Sequence, residues 1–135
     1  MELSRFKTAQ AQYFELTLAE LTAGKKRSHW MWFMFPQLAQ LGHSKTAKFY
    51  GLHDLAEAKE FLADPILGNN LRNLSQNLLH LNTNDPLQVF GYPDNLKLHS
   101  SMTLFYLASN ELLFMEVLQK FFAGKMDEQT IKLVH

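Results

Sequence analysis

The chain has 135 residues, enough for one domain with a real core, and its 47% hydrophobic and 19% charged content is globular rather than disordered. Thirteen basic side chains balance thirteen acidic ones, so no global field draws in nucleic acid or an anionic membrane. The absence of cysteine excludes disulfides, a thiolate zinc site and a thiol nucleophile, and fits a reducing compartment.

The first residues, MELSRFKTAQAQYFELTLAEL, show no basic segment followed by an apolar one, so no signal peptide is expected. The longest apolar run, Trp30 to Phe35, falls far short of the ~20 residues that span a bilayer. A cytoplasmic protein without a membrane partner is the expectation.

Helical punctuation recurs along the chain. From Ser4 to Ala23, Phe6, Ala9, Tyr13, Leu16 and Ala19 or Glu20 recur at helical spacing, and Gly24 suits a C-terminal cap. Trp30 to Phe35 is short enough for a buried strand or a buried helix, and Ser28 before it and Pro36 after it allow a helix of about two turns. Asp54 can cap LAEAKEFLA. Asp64-Pro65 and Asp85-Pro86 each place an acid before a proline at the first helical position. The first opens PILGNNLRNLSQNLLHL, with Ile66, Leu74, Leu78 and Leu81 available to one face; the second opens PLQVF, closed by Gly91. A helix from about Asp94 to Ala108 follows, then ELLFMEVLQKFFA capped by Asn110 and stopped by Gly124, then EQTIKLV begun by Asp127. No stretch alternates with period two between hairpin signals. The expectation is an all-α, compact single-domain bundle of about six or seven short helices over residues 1–135, without repeats or linkers.

Two stretches carry the chemistry. In GKKRSHWMWFMFPQ, Lys25, Lys26 and Arg27 follow a helix end, where the dipole and free carbonyls favour cations. The functional alternative is an anion site in which Ser28 and the next helix's amides help hold a phosphate or carboxylate. His29 is a packed histidine or, if accessible beside a carboxylate, an acid/base. Trp30 and Trp32 belong to the core or line its edge, where an indole face suits a flat ring.

In DNLKLHSSMTLFYLA, Asp94, Lys97 and Ser101 share a helix face while most other residues are apolar. One account makes Asp94 and Lys97 a first-turn surface pair and bonds the serines back to preceding carbonyls. The other points Lys97, Ser100 and Ser101 into a polar pocket that holds an anion. Arg72, Glu57, Glu60 and Glu111 read as ordinary surface charges. The six histidines show no HxH or HExxH spacing, so no metal and no cofactor is expected, and GxSxG, P-loop and GxGxxG motifs are absent.

Taken together, GKKRSHWMWFMFPQLAQLGHS, AKEFLADPILGNNL and VFGYPDNLKLHSSMTLF resemble the DUF1810 (Rv1873-like) family across nearly the whole chain. The resemblance implies a compact, mainly α-helical domain of bacterial-type cytoplasmic proteins and brings no assigned substrate. The positions that match its pattern are Lys26, Ser28, His29, Trp30, Trp32, Gln37, Asp94, Lys97, Ser100 and Ser101, which favours the pocket reading for them. A partial similarity links DNLKLHSSM to the D-x-x-K-x-x-V-M stretch of the NADAR group, α-helical proteins associated with ADP-ribose derivatives and N-glycosidic bond hydrolysis. One residue more stands before the methionine here, and that group's S-x-E-H-x-F-Q and W-G-x-G elements have no counterpart.

These readings converge on an anionic small-molecule site, nucleotide-like or phosphorylated, between residues 26–32 and 94–101. Lys26 and Lys97 neutralise the anion, Ser28, Ser100 and Ser101 hydrogen-bond it, and Trp30 or Trp32 packs on a ring. His29 is the acid/base if chemistry occurs, with Asp94 orienting it or acting itself. The alternative is a non-catalytic protein–protein interaction module in which the same residues brace helix junctions.

Overall fold

The acidic residues expected to open helices do so by direct hydrogen bonding. In the computed structural model, which describes residues 3–135, Asp54 accepts the Glu57 amide at 2.9 Å, Asp64 those of Ile66 and Leu67, Asp85 that of Leu87 and Asp127 that of Thr130. The helices among the described residues are α1 (Ser4–Thr22), α2 (Met31–Met34), α3 (Lys45–Phe49), α4 (Leu55–Ala63), α5 (Pro65–Leu79), α6 (Pro86–Phe90), α7 (Asp94–Ser109), α8 (Leu112–Phe122) and α9 (Glu128–Val134). A 3-10 turn at Ala39–Leu41 and a single parallel bridge between Leu38 and Leu52 complete the regular structure.

The all-helical class stands, but nine α-helices replace the expected six or seven among the described residues. The helix with no anticipated segment is α3, capped by the Ser44 hydroxyl, which accepts the Ala47 amide at 3.0 Å. The aromatic run gives one turn, α2, rather than two, with Trp30 as its N-cap and Phe35 leaving the helix at φ −127°. Asn110 is not the cap of α8. It ends α7 in the left-handed conformation at φ 59°, a role asparagine tolerates, and Glu111 precedes α8 instead.

The middle helix, α7, is buried from Ser100 to Phe105 and packs on α4, α6, α8 and α9, which explains why its apolar residues occupy almost every side. Edge-to-face and tilted rings run through this core, from Phe6 to Phe61 at 5.1 Å, Phe61 to Phe105 at 5.3 Å and Phe105 to Phe114 at 6.0 Å. Two expected face assignments change. Leu16 and Ile66 are exposed, while Gln10, Thr17 and Glu20 turn inward on α1. These polar groups are satisfied: the Gln10 amide donates to the Phe33 carbonyl at 2.8 Å and its oxygen accepts from Asn70 at 2.9 Å, and Thr17 donates to the Tyr13 carbonyl at 2.9 Å.

Charges read as ordinary surface residues also act between elements. Arg72 grips Glu111 with two parallel bonds of 2.8 and 2.9 Å, and that hydrogen bond holds the Glu111 carboxyl below its usual range. Glu57 is buried and accepts from the His53 amide at 3.1 Å and from Arg5 at 3.5 Å. No helix of the described residues is long and apolar enough to cross a membrane.

Gly68 marks the closest approach of α5 to the end of α4. A methyl group at this position would stand far inside contact distance of the Leu62 carbonyl oxygen and 2.8 Å from the Arg72 guanidinium. Alanine's higher helix propensity, worth about 1 kcal/mol, opposes a backbone clash that a neighbouring side chain cannot relieve. Gly68→Ala is therefore expected to lower stability by about 1–3 kcal/mol, measured as a reduced denaturation midpoint in urea.

Candidate functional site

Helix α1 ends in a Schellman turn. Gly24 adopts φ +79°, its amide donates to the Leu21 carbonyl at 2.9 Å, and the Lys25 amide donates to the Glu20 carbonyl at 3.0 Å. This reversal carries residues 27–30 back past the side chain of Glu20. One carboxylate oxygen accepts the amides of Arg27 (2.8 Å) and Ser28 (3.0 Å) and the indole N–H of Trp30 (2.9 Å), and the other accepts the Ser28 hydroxyl at 2.6 Å. Burial alone would raise the Glu20 pKa. The hydrogen bonds from Ser28, Arg27 and Trp30 outweigh it and hold the carboxyl down at about 2.

This arrangement settles the place of two expected ligand residues. Ser28 is engaged with Glu20, and Trp30 is fully buried, with Phe35 and Phe90 at 6.3 and 6.4 Å. Neither an open hydroxyl nor an open indole face is offered here, because both are bound to the loop's own anchor. Of the two indoles, the half-buried one is Trp32.

The Lys26 amide donates to the Val89 carbonyl at 2.7 Å, which ties the loop to the end of α6. Gly91, at φ 74°, then turns the chain into α7. The two stretches therefore meet. The Lys26 ammonium lies 2.8 Å from one oxygen of Asp94 and Lys97 lies 3.4 Å from the other, with side-chain exposures of 8% and 21%. Lys26 also sits over the Trp30 ring and Lys97 over the Trp32 ring, each at 5.2 Å. One carboxylate thus stands between two ammonium groups, leaving a surplus positive charge, and the less buried of the two is Lys97.

His29 is exposed, its ring 6.5 Å from Trp32. Both oxygens of Asp94 face lysines, and no ion pair joins it to His29 among the described residues, so an orienting role for Asp94 on His29 is not provided by its contacts.

In place of a single pocket, two hollows adjoin this ridge. One, of about 660 Å³, is lined chiefly by rings: Tyr13, His29, Trp32, Phe33, Phe49 and Tyr50. The other, of about 550 Å³, is more polar and includes Gln37, His43, Lys97, His99, Ser100 and Asp127. Trp32 borders the first and Lys97 the second. Helix α3 also serves both, with Thr46, Phe49 and Tyr50 on one side and Ser44 and Ala47 on the other.

The serines of α7 divide. Ser100 donates to the Leu96 carbonyl at 3.2 Å and reaches Asp127 at 3.3 Å, the back-bonded arrangement plus a link to α9. Ser101 is fully buried, and its hydroxyl has no hydrogen-bond partner. Among the described residues no three His, Asp or Glu side chains gather in a metal-holding group.

Glu20 joins the site beyond the residues that the motifs indicate, and its position on the inward stripe of α1 is the signal for it. His43, Phe49, Tyr50 and Asp127 carry no such signal, since they reach the hollows only through the packing of α3 and α9.

Glu20→Gln keeps the shape but turns one acceptor into a donor facing the Ser28 hydroxyl. A loss of about 2 kcal/mol is expected, read from chemical denaturation at neutral pH. A carboxyl with a lowered folded pKa gives stability that is fully present above its ordinary 4.5 and is lost as the pH falls through about 2. The wild type should therefore lose stability across that interval more steeply than the Gln variant.

Over residues 1–134 the chain matches the family described as "Protein of unknown function (DUF1810)". It is similar to the crystal structure of the conserved hypothetical protein Rv1873 from Mycobacterium tuberculosis, with 41% identity and a TM-score of 0.95, over 97% of this chain and 94% of that one. No curated protein matches it. The chain belongs to the DUF1810 family.

Proposed function

We propose that the ridge formed by Lys26, Asp94, Lys97 and Trp32 is the recognition element of a small-molecule site for an anionic, phosphorylated or nucleotide-like ligand. The observation that carries this reading is the charge count at Asp94, where one carboxylate serves two ammonium groups and is shared unequally between them. The 2.8 Å pair with Lys26 is the tighter and more buried. Lys97, at 3.4 Å and on the edge of the polar hollow, is the cation available to an incoming anion. Its position over the Trp32 ring supplies an aromatic face beside the charge.

In this reading Lys26 is a positioning residue that holds Asp94 in place through their 2.8 Å ion pair. Ser100 and Ser101 follow three and four residues after Lys97, about one turn along the same helix, with Ser100 lining the polar hollow. Ser28 and Trp30 support the site by shaping the loop. His29 is the accessible acid/base beside Trp32 if the bound molecule is also transformed.

A non-catalytic partner surface remains the competing reading, and its own observation is the exposed Tyr92 and Leu96 at the rim of the polar hollow. Thermal-shift measurements with inorganic phosphate, AMP, ADP-ribose and sugar phosphates separate the two. A ligand at about ten times its Kd stabilises the native state by about 1.4 kcal/mol, a rise of several degrees. Lys97→Ala leaves the Lys26–Asp94 pair balanced and should fold, so the expected result is a shift in wild type that this variant loses. An equal shift in both proteins, or none with any compound, overturns the anion site and turns attention to partner capture.

A further inference from the structure

Of the ring-lined hollow only Trp32 and His29 enter the anion reading, yet its construction is specific. Its rings touch in series, Tyr13 to Phe33 at 5.6 Å, Phe33 to Tyr50 at 5.2 Å and Tyr50 to Phe49 at 4.9 Å. Phe49 stands at the lip, 59% exposed, on a five-residue helix. Arg5 holds that wall from α1, donating to the Phe49 carbonyl at 2.7 Å, to the Gly51 carbonyl at 3.2 Å and to Glu57 at 3.5 Å. A large apolar side chain left in water on a backbone that Arg5 clamps is a preformed face, and covering it recovers hydrophobic free energy without the cost of ordering a loop.

We propose that this hollow takes a planar heteroaromatic ring, an adenine base, stacked against Phe49 and Trp32. The assignment of the base's polar edge comes from α1. Thr8 and Gln12 are exposed, one turn apart, and line the same hollow. A carboxamide offers a donor and an acceptor side by side, the pattern that pairs with the N6/N7 edge of adenine. Stacking on an aromatic face supplies the affinity, and the glutamine supplies the preference. The volume of about 660 Å³ lies within the usual range of ligand sites.

This inference rests on the reading of Lys97 as an anion anchor in one respect: it makes the two halves of the site recognise one molecule. Trp32 borders the ring-lined hollow, and the Lys97 ammonium sits 5.2 Å from its ring on the side of the polar hollow. A base stacked on Trp32 and a phosphate at Lys97, which lies 5.2 Å from the same ring, would then be parts of one molecule, as in an adenine nucleotide. The ligand class is an adenosine phosphate, bound across the Trp32–Lys97 ridge.

The test uses the intact chain and its own fluorescence. The chain has two tryptophans, and Trp30 is fully enclosed, so contact quenching reports on Trp32. Adenosine, AMP, uridine and inorganic phosphate are titrated into the wild type, Phe49→Ala, Gln12→Ala and Lys97→Ala. Adenosine is expected to quench saturably and to bind more tightly than uridine. Phe49→Ala should weaken adenosine about tenfold or more, Gln12→Ala should erase the preference over uridine, and Lys97→Ala should remove only the advantage of AMP over adenosine. Because Gln12 lies on the exposed face of α1, its variant remains informative if Phe49→Ala proves unstable.

Absence of saturable quenching by adenosine, or equal affinity in wild type and Phe49→Ala, overturns the ring site. Binding of AMP and phosphate that depends on Lys97 but not on Phe49 or Gln12 also overturns it while leaving the anion site intact. Adenosine binding that depends on Phe49, with no gain from the AMP phosphate, supports the ring site and overturns Lys97 as the anchor.

Discussion

The carboxylate of Glu20 gathers four donors from the loop that follows its own helix: two amides, a hydroxyl and an indole. A buried carboxylate without such partners would be costly. Here each hydrogen bond also fixes a piece of backbone or a large side chain. The indole of Trp30 is oriented into the core, the loop is turned toward α6, and Lys26 is delivered to Asp94. Remove that anchor and the two stretches that form the ridge, more than sixty residues apart in the chain, lose the element that orients the loop between them.

The same constraint explains why water-loving and water-shy residues stand side by side in KKRSHWMWFMF. The cations do not compete with the aromatic run for the interior. They sit at its edge, where the Lys26 ammonium meets both a carboxylate and the face of Trp30, and the rings beyond it fill the core. Charge and aromatic surface are complementary at close range, so the boundary between them becomes a surface with both characters. Helix α7 repeats the arrangement with a polar first turn leading into a buried apolar body.

Local chemistry was the legible part of the fold. Asp54, Asp64, Asp85 and Asp127 opened their helices because a cap needs only a carboxylate and amides two or three residues away. Gly24 and Gly91 closed theirs by adopting positive φ. Short-range signals misled where two elements abutted. Asn110 carries a capping side chain, but it lies between α7 and α8 and serves as the end of the first. Helix α3, of five residues, had too few positions to show a period, and only the cap at Ser44 announced it.

The sequence alone carried the all-helical class, most helix starts, and the two stretches that turn out to adjoin, because propensity, capping and periodicity act within a few residues. It could not decide which polar residues face inward, since the partners that make burial tolerable are distant. Glu20 needs Trp30, Gln10 needs Phe33 and Asn70, and Arg72 needs Glu111. Nor could it divide one expected pocket into an aromatic hollow and a polar one. That division follows from where α3 and α9 pack, and from Trp32 and Lys97 meeting across the ridge between them.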